Sequence, residues 1–256
     1  PAIKDTFTTD GFYIIRGALK SETIKKANHA IDPFRLKNDS ALSKDSLLVN
    51  DMLLRVINLH HSVTPLKDIF WESIESSSEV TDAFGPATLY TSLFFEMGSE
   101  QTPHRDTPYF YSGSNGGYMG LAALDDEENG ALIAVRGSHY IGEPDLDKLK
   151  ELHHPSEPIP PSSPLLFDAY NEALIYKANK MGLKTEICNV EKGDIILWNP
   201  STLHGGLPHK NLLKRRRSFV MHITPQDMPI KHMDYSFDKK KKFQPSKENM
   251  RPIMEG

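Results

Sequence analysis

Residues 87–97 read A-T-L-Y-T-S-L-F-F-E-M and stop at Gly98. The run is rich in β-branched and aromatic residues, so it reads as a strand. The same pattern recurs downstream: G-Y-M-G-L-A-A-L (117–124), A-L-I-A-V (131–135), K-T-E-I-C-N-V (184–190), D-I-I-L-W (194–198) and R-S-F-V-M-H-I (217–223). Turn signals separate most of them: N-G at 129, R-G-S at 136 and K-G-D at 192. Many short strands after a helical segment predict a mainly β fold, a sandwich or barrel with helices around it.

Upstream of residue 87 the pattern is helical with one early strand. D-G-F-Y-I-I-R-G (10–17) is a turn followed by a short apolar strand. Ser21 is placed to cap a helix running through Ile31, and a second helix is expected from about Leu47 to His60. V-T-P-L-K-D-I-F-W-E-S-I (63–74) repeats apolar residues at helical spacing, with Pro65 suited to a first turn. The expected organisation is a single domain: a jacket over 1–86, a β core over 87–224 and a tail over 225–256. Residues 140–182 interrupt the core with charged helix-like pieces and P-S-E-P-I-P-P-S-S-P, as a lid-like or surface insertion. The K-K-K-K run at 239–242 reads as a solvated end.

The 256 residues are enough to bury a sizeable core. A net charge of −4 argues against general nucleic-acid binding. No apolar run is long enough to span a membrane, and the first residues lack a signal-peptide core. The one cysteine, Cys188, cannot form an internal disulfide, so a cytoplasmic setting is expected.

Residues 102–108, T-P-H-R-D-T-P, hold His104 and Asp106 two apart. In a strand such residues face one side and can reach one ion. With 11 histidines, roughly one H-x-D is expected by chance. A second one, His232 and Asp234, has no histidine after it and lies in a tail without strand pattern. The partner for the first is His204, in G-D-I-I-L-W-N-P-S-T-L-H-G-G (193–206), delivered just past a buried strand. Alone, His204 reads as a loop histidine; beside an H-x-D it completes two imidazoles and one carboxylate, the usual ligand set of non-haem Fe(II) oxygenases. R-R-R-S (215–218) then offers a guanidinium for an anionic chelator. Strand alternation lets Arg216 and Ser218 face inward together, with Val220 and His222; the alternative register turns Arg215 and Arg217 inward.

These residues resemble the phytanoyl-CoA dioxygenase family of Fe(II)/2-oxoglutarate oxygenases. T-T-D-G-F-Y-I-I-R-G-A-L is similar to the family's opening, and H-R-D to its H-x-D. E-N-G-A-L-I-A-V-R-G-S-H (128–139) resembles its N-G…G-S-H block, and 192–206 with R-R-R-S-F-V-M-H its closing segment. The resemblance implies a double-stranded β-helix, or jelly roll. His104, Asp106 and His204 would hold Fe(II), and Arg216 and Ser218 the far carboxylate of 2-oxoglutarate. With O2, a C–H bond of a small molecule would be hydroxylated and succinate and CO2 released. Family spacing counted from His204 points to Arg215, and counted back from His222 to Arg216; the strand's own parity favours Arg216. Gly206 stands where relatives often carry a small hydroxyl residue, and Arg136 where they carry proline. Related halogenases leave the Asp106 position vacant for chloride, so a carboxylate there argues for hydroxylation.

Arg105, Tyr109 and Arg136 are candidate substrate contacts, and their local arginine density suggests an anionic small molecule. Two other classes remain: a Zn hydrolase using the same three ligands, and a non-catalytic jelly-roll binding protein.

Overall fold

The computed structural model describes residues 3–45, 47–49, 52–108, 116–125, 129–157 and 163–226. Tyr109, the H-x-D of residues 232–234 and the lysine run at 239–242 lie outside them. Among the described residues no helix is long and apolar enough to cross a membrane.

A six-stranded antiparallel sheet forms the centre. Its strands are β1 (Phe12–Ile15), β4 (Val56–Ile57), β5 (Ala87–Phe95), β6 (Tyr118–Ala123), β9 (Ile195–Trp198) and β11 (Ser218–Pro225), in the order β1-β9-β6-β11-β5-β4. A smaller sheet, β10-β7-β8, is built from β7 (Leu132–Val135), β8 (Thr185–Ile187) and β10 (His204–Gly206). This is the expected double-stranded β-helix, although among the described residues helix (37%) exceeds strand (24%), so "mainly β" describes the core.

The large sheet is buried on both faces, which is why its strands read as near-continuous apolar runs. On β11, Phe219, Met221 and Ile223 enter the core shared with the jacket helices. Val220 enters a second core between the two sheets, with Phe95, Leu121, Leu132 and Trp198. Neighbouring residues thus serve opposite faces, as a period of two requires.

The jacket comprises α1 (Ile3–Asp10), α2 (Ser21–Asp45), α3 (Pro65–Phe70), a π-turn at Trp71–Glu75, and α4 (Ser78–Phe84). Ile24, Ala27 and Ile31 form the buried stripe of α2, which continues past Pro33. The helix expected over Leu47–His60 does not form. The chain instead makes β2 (Leu47–Val49) paired with β3 (Met52–Leu54), then β4, then a 3-10 turn at Leu59–His61. Arg55 and Asn58 have φ of 58° and 54°, and a left-handed residue ends any right-handed helix.

The insertion carries α5 (Leu146–His153) and α6 (Pro164–Lys180), which share a third core with Val135 and Leu203. It packs behind the H-x-D segment. None of its described residues lines the cavity discussed below.

Candidate active site

Two segments clip together at one end of the jelly roll. The backbone of His104 donates to the His204 carbonyl at 2.9 Å, and His204 returns the bond at 3.0 Å. Asp106 N donates to the Pro200 carbonyl at 3.0 Å. The strand expected at the H-x-D is thus a single bridge, and β10, the partner strand, was not expected at all. H-G-G carries too little apolar content to show as a strand in sequence.

The bridge brings His104, Asp106 and His204 into one group, with one ligand atom from each within 4.8 Å of the others. Each imidazole Nδ1 faces a carbonyl oxygen, which can only accept. His104 therefore donates to Thr102 at 2.9 Å and His204 to Thr202 at 3.0 Å. In the neutral ring this leaves the Nε2 lone pair for the site, the tautomer that an ion requires. Nε2 of His204 lies 3.3 Å from Asp106 Oδ2, and Nε2 of His104 lies 3.8 Å from Oδ1. Trp198 Nε1 donates to Asp106 Oδ2 at 3.3 Å.

Burial works on both kinds of ligand. It pushes the His104 pKa down to about 4, helped by His204 and opposed by Asp106, so the ring is neutral at pH 7. Burial alone would raise the Asp106 pKa. The neighbouring His204, His104 and His222, with the Trp198 N–H, outweigh it and hold the carboxyl below its usual range. A neutral imidazole at His104 and an ionised carboxylate at Asp106 are the forms that bind a cation.

The three residues line one cavity. Leu93, Phe95, Leu121, Leu132 and Val220 form its apolar wall, Ser218 and His222 enter from β11, and Arg216 enters from just before it. Arg216 is buried, and burial alone lowers its pKa. Its Nη1 donates to the Gly130 carbonyl at 3.2 Å, while Nη2 is buried without a hydrogen-bond partner. Arg217 points the other way. It pairs with Glu96 at 2.9 Å, and also with Asp32 and with Asn28 of α2. Arg215 stays at the surface, 3.5 Å from Asp125.

Two of the expected substrate contacts lie elsewhere. Arg105 is 1% exposed and donates to the Ser138 carbonyl at 2.8 Å, the Ile141 carbonyl at 2.6 Å and Glu143 at 3.1 Å, tying the insertion to the H-x-D segment. Arg136 joins Asp10 to Glu186 on the outer surface and lies over the Phe12 ring. Neither lines the cavity. Ser99 and Gln101 do, and sequence reading passed over both. A Cβ on Gly206 would lie 3.5 Å from Ser99 Oγ, so a hydroxyl stands beside the position where relatives often place one. Asn129 is a second omission. Its side chain bonds Lys210, Asn211 and Lys214, shaping the loop that leads into Arg216.

A jelly roll whose metal-competent trio shares a cavity with a buried arginine defines a class of non-haem iron enzymes. The chain belongs to the phytanoyl-CoA dioxygenase (PhyH) family, whose model matches residues 7–218. It is an Fe(II)/2-oxoglutarate-dependent enzyme, with O2 as co-substrate. No curated protein sequence matches it. Among solved structures, it is similar to the non-heme alpha ketoglutarate dependent carbocyclase SnoK from nogalamycin biosynthesis: TM-score 0.62, 14% identity, covering 96% of this chain and 92% of that one. The alpha ketoglutarate dependent epimerase SnoN from nogalamycin biosynthesis gives 0.60, 14% identity, and 90% and 81% coverage. EctD from S. alaskensis with bound Fe gives 0.58, 15% identity, and 90% and 78% coverage.

The residues present fit those groups. The donor set suits Fe(II). The unpartnered Nη2 of Arg216 supplies a strong, water-poor donor for an anion in the same cavity.

Proposed function

We propose that the chain is a hydroxylase, in which His104, Asp106 and His204 hold Fe(II) and Arg216 and Ser218 hold the distal carboxylate of 2-oxoglutarate. The observation that carries this is the buried Arg216 Nη2, with no partner in the described chain, in the same cavity as the trio. A desolvated guanidinium is costly until an anion meets it.

Bound iron with 2-oxoglutarate supplies the oxidising power, and succinate and CO2 are released. The chain's residues bind, orient and exclude water. The two Nδ1 bonds to Thr102 and Thr202 fix the imidazole planes. Arg216, just before β11, and the Ser218 hydroxyl at its start both line the cavity, so they can grip one carboxylate together. The wall from Leu93 to Val220 keeps water from a reactive centre. A carboxylate at position 106 supports hydroxylation, because it fills the position that chloride would need for halogenation. The substrate is a small molecule.

The test is a spectrum of the protein under anaerobic conditions, with Fe(II) and then 2-oxoglutarate added. A weak visible charge-transfer band that needs both additions is expected. It should vanish in His104→Ala, Asp106→Ala and His204→Ala. Arg216→Ala should demand roughly tenfold or more 2-oxoglutarate, the worth of a charge-assisted pair. Arg215→Ala should not. If only Arg215→Ala weakens the band, β11 binds in the other register. Tight Zn2+ binding with no band would favour the hydrolase.

A further inference from the structure

We infer that Arg55 receives an anionic group of the primary substrate, a carboxylate or phosphate, at the mouth of the cavity. The inference rests on the proposed function above, since it assigns 2-oxoglutarate to Arg216.

Position comes first. Arg55 links β3 to β4, and its φ of 58° breaks the alternation of a strand. Leu53 and Val56 consequently belong to the jacket-side core, while Leu54 packs with the inter-sheet cluster that includes Phe95. Leu53 O accepts from Glu96 N on one side of Arg55 and Val56 pairs with Phe94 on the other, so Arg55 lies in the short segment opposite the cavity-wall residue Phe95. A non-glycine residue in this conformation is strained, and such strain concentrates where a side chain is held for a ligand.

The pattern of partners singles Arg55 out. Arg16, Arg105, Arg136, Arg215 and Arg217 each have an acidic partner. Among arginines whose side chains are described, Arg55 and Arg216 alone have none. Arg216 lines the cavity, and Arg55 lies in the segment opposite the cavity-wall residue Phe95.

Charge balance gives the sign of the ligand. The two positive charges of Fe(II) and the one of Arg216 are cancelled by Asp106 and the two carboxylates of 2-oxoglutarate. Arg55 is then left over. It is exposed and so cheaply solvated while the site waits, and it is released to pair when an anion arrives.

The experiment uses two variants. Arg55→Gly removes the charge and suits the left-handed backbone, so folding is preserved. Arg55→Lys keeps a charge. Anaerobic protein loaded with Fe(II) and 2-oxoglutarate is titrated calorimetrically with matched pairs, each a carboxylate or phosphate monoester and its neutral amide or alcohol. Wild-type protein should bind anionic members in preference to their neutral partners. Arg55→Gly should lose about tenfold or more in affinity for them, and Arg55→Lys much less. The charge-transfer band should form at the same 2-oxoglutarate concentration in all three proteins. Equal binding of anionic and neutral members, no binding of any anionic member, or an unchanged affinity in Arg55→Gly would overturn the assignment. A shifted 2-oxoglutarate titration in Arg55→Gly would give Arg55 to the co-substrate instead. Absence of the band in wild type would sink the parent reading rather than this one.

Discussion

At Gly205 there is no room for a side chain. A Cβ there would lie 2.5 Å from the Gln101 carbonyl and 3.1 Å from Pro103 N, both backbone atoms that cannot rotate away. That close approach lets His104 and His204 exchange backbone bonds and present both Nε2 atoms to one point. Gly205→Ala should therefore spread the trio and lower Fe(II) affinity by roughly 10–100-fold, the range for lost ligand support. Gly206→Ala meets its nearest backbone atom at 3.1 Å and should cost less. Calorimetric metal titration of the two variants checks the order; equal loss would mean that the bridge tolerates spreading. Trp198→Phe tests the carboxylate instead. It removes the N–H that reaches Asp106 at 3.3 Å, so the Asp106 pKa rises toward its ordinary range. Protons then compete with metal at higher pH. The affinity deficit of Trp198→Phe should be several-fold larger at pH 5 than at pH 7, and a deficit independent of pH would show that the indole acts only by packing.

The segment leading into β11 sends Arg216 and Arg217 to opposite sides, and so separates the two roles of the arginine run. Arg217 and Glu96 are both essentially unexposed, so their pair fixes which face turns to the jacket and leaves Arg216 for the cavity. Arg217→Met should destabilise the chain by about 3–5 kcal/mol, because Glu96 is left as a buried unpaired charge. Adding Glu96→Gln should recover part of that. Arg215→Ala, at the surface, should stay within about 0.5 kcal/mol in urea unfolding. The strands of the large sheet were legible in sequence because burial on both faces writes long β-branched and aromatic runs. Parity left two faces open for the arginine run, and the partnership with Ser218 and the spacing to His222 favoured Arg216. Residues 47–60 were not legible: L-L-V and M-L-L have no period long enough to separate helix from strand, and the left-handed turns at Arg55 and Asn58 carry no glycine to announce them. The same misreading hid Arg55. Arg105 and Arg136 drew attention by standing near motifs, yet their carboxylate partners lie 38, 50 and 126 residues away, where sequence proximity gives no sign of them.

Among the described residues, the three imidazoles whose pKa burial lowers to about 4 lie in two different layers. His60 lies in the jacket core with Nδ1 2.6 Å from Ser92 Oγ, while His104 and His222 lie between the sheets. Burial is the largest cause in each case, and it lowers each pKa to about 4; His61 and Lys67 add to it at His60, and Asp106 opposes it at His104 and His222. An unfolded chain takes up these protons near pH 6.5, whereas the folded chain withholds them until about pH 4. The unfolded state therefore binds more protons throughout that window, and folding stability falls as pH drops through it. Above pH 6.5 the penalty is absent; below pH 4 it is complete. The metal-free protein should lose about 1–2 kcal/mol per imidazole between pH 7 and pH 5, measured by urea unfolding at each pH. His60→Gln separates the layers, since it removes the one imidazole remote from the metal ligands. Its stability at pH 7 falls with the lost Ser92 contact, but its drop from pH 7 to pH 5 should shrink by one share. A stability profile flat from pH 7 to pH 5 in the wild type would mean that the folded chain protonates these rings as readily as water does, and that the core around them is open.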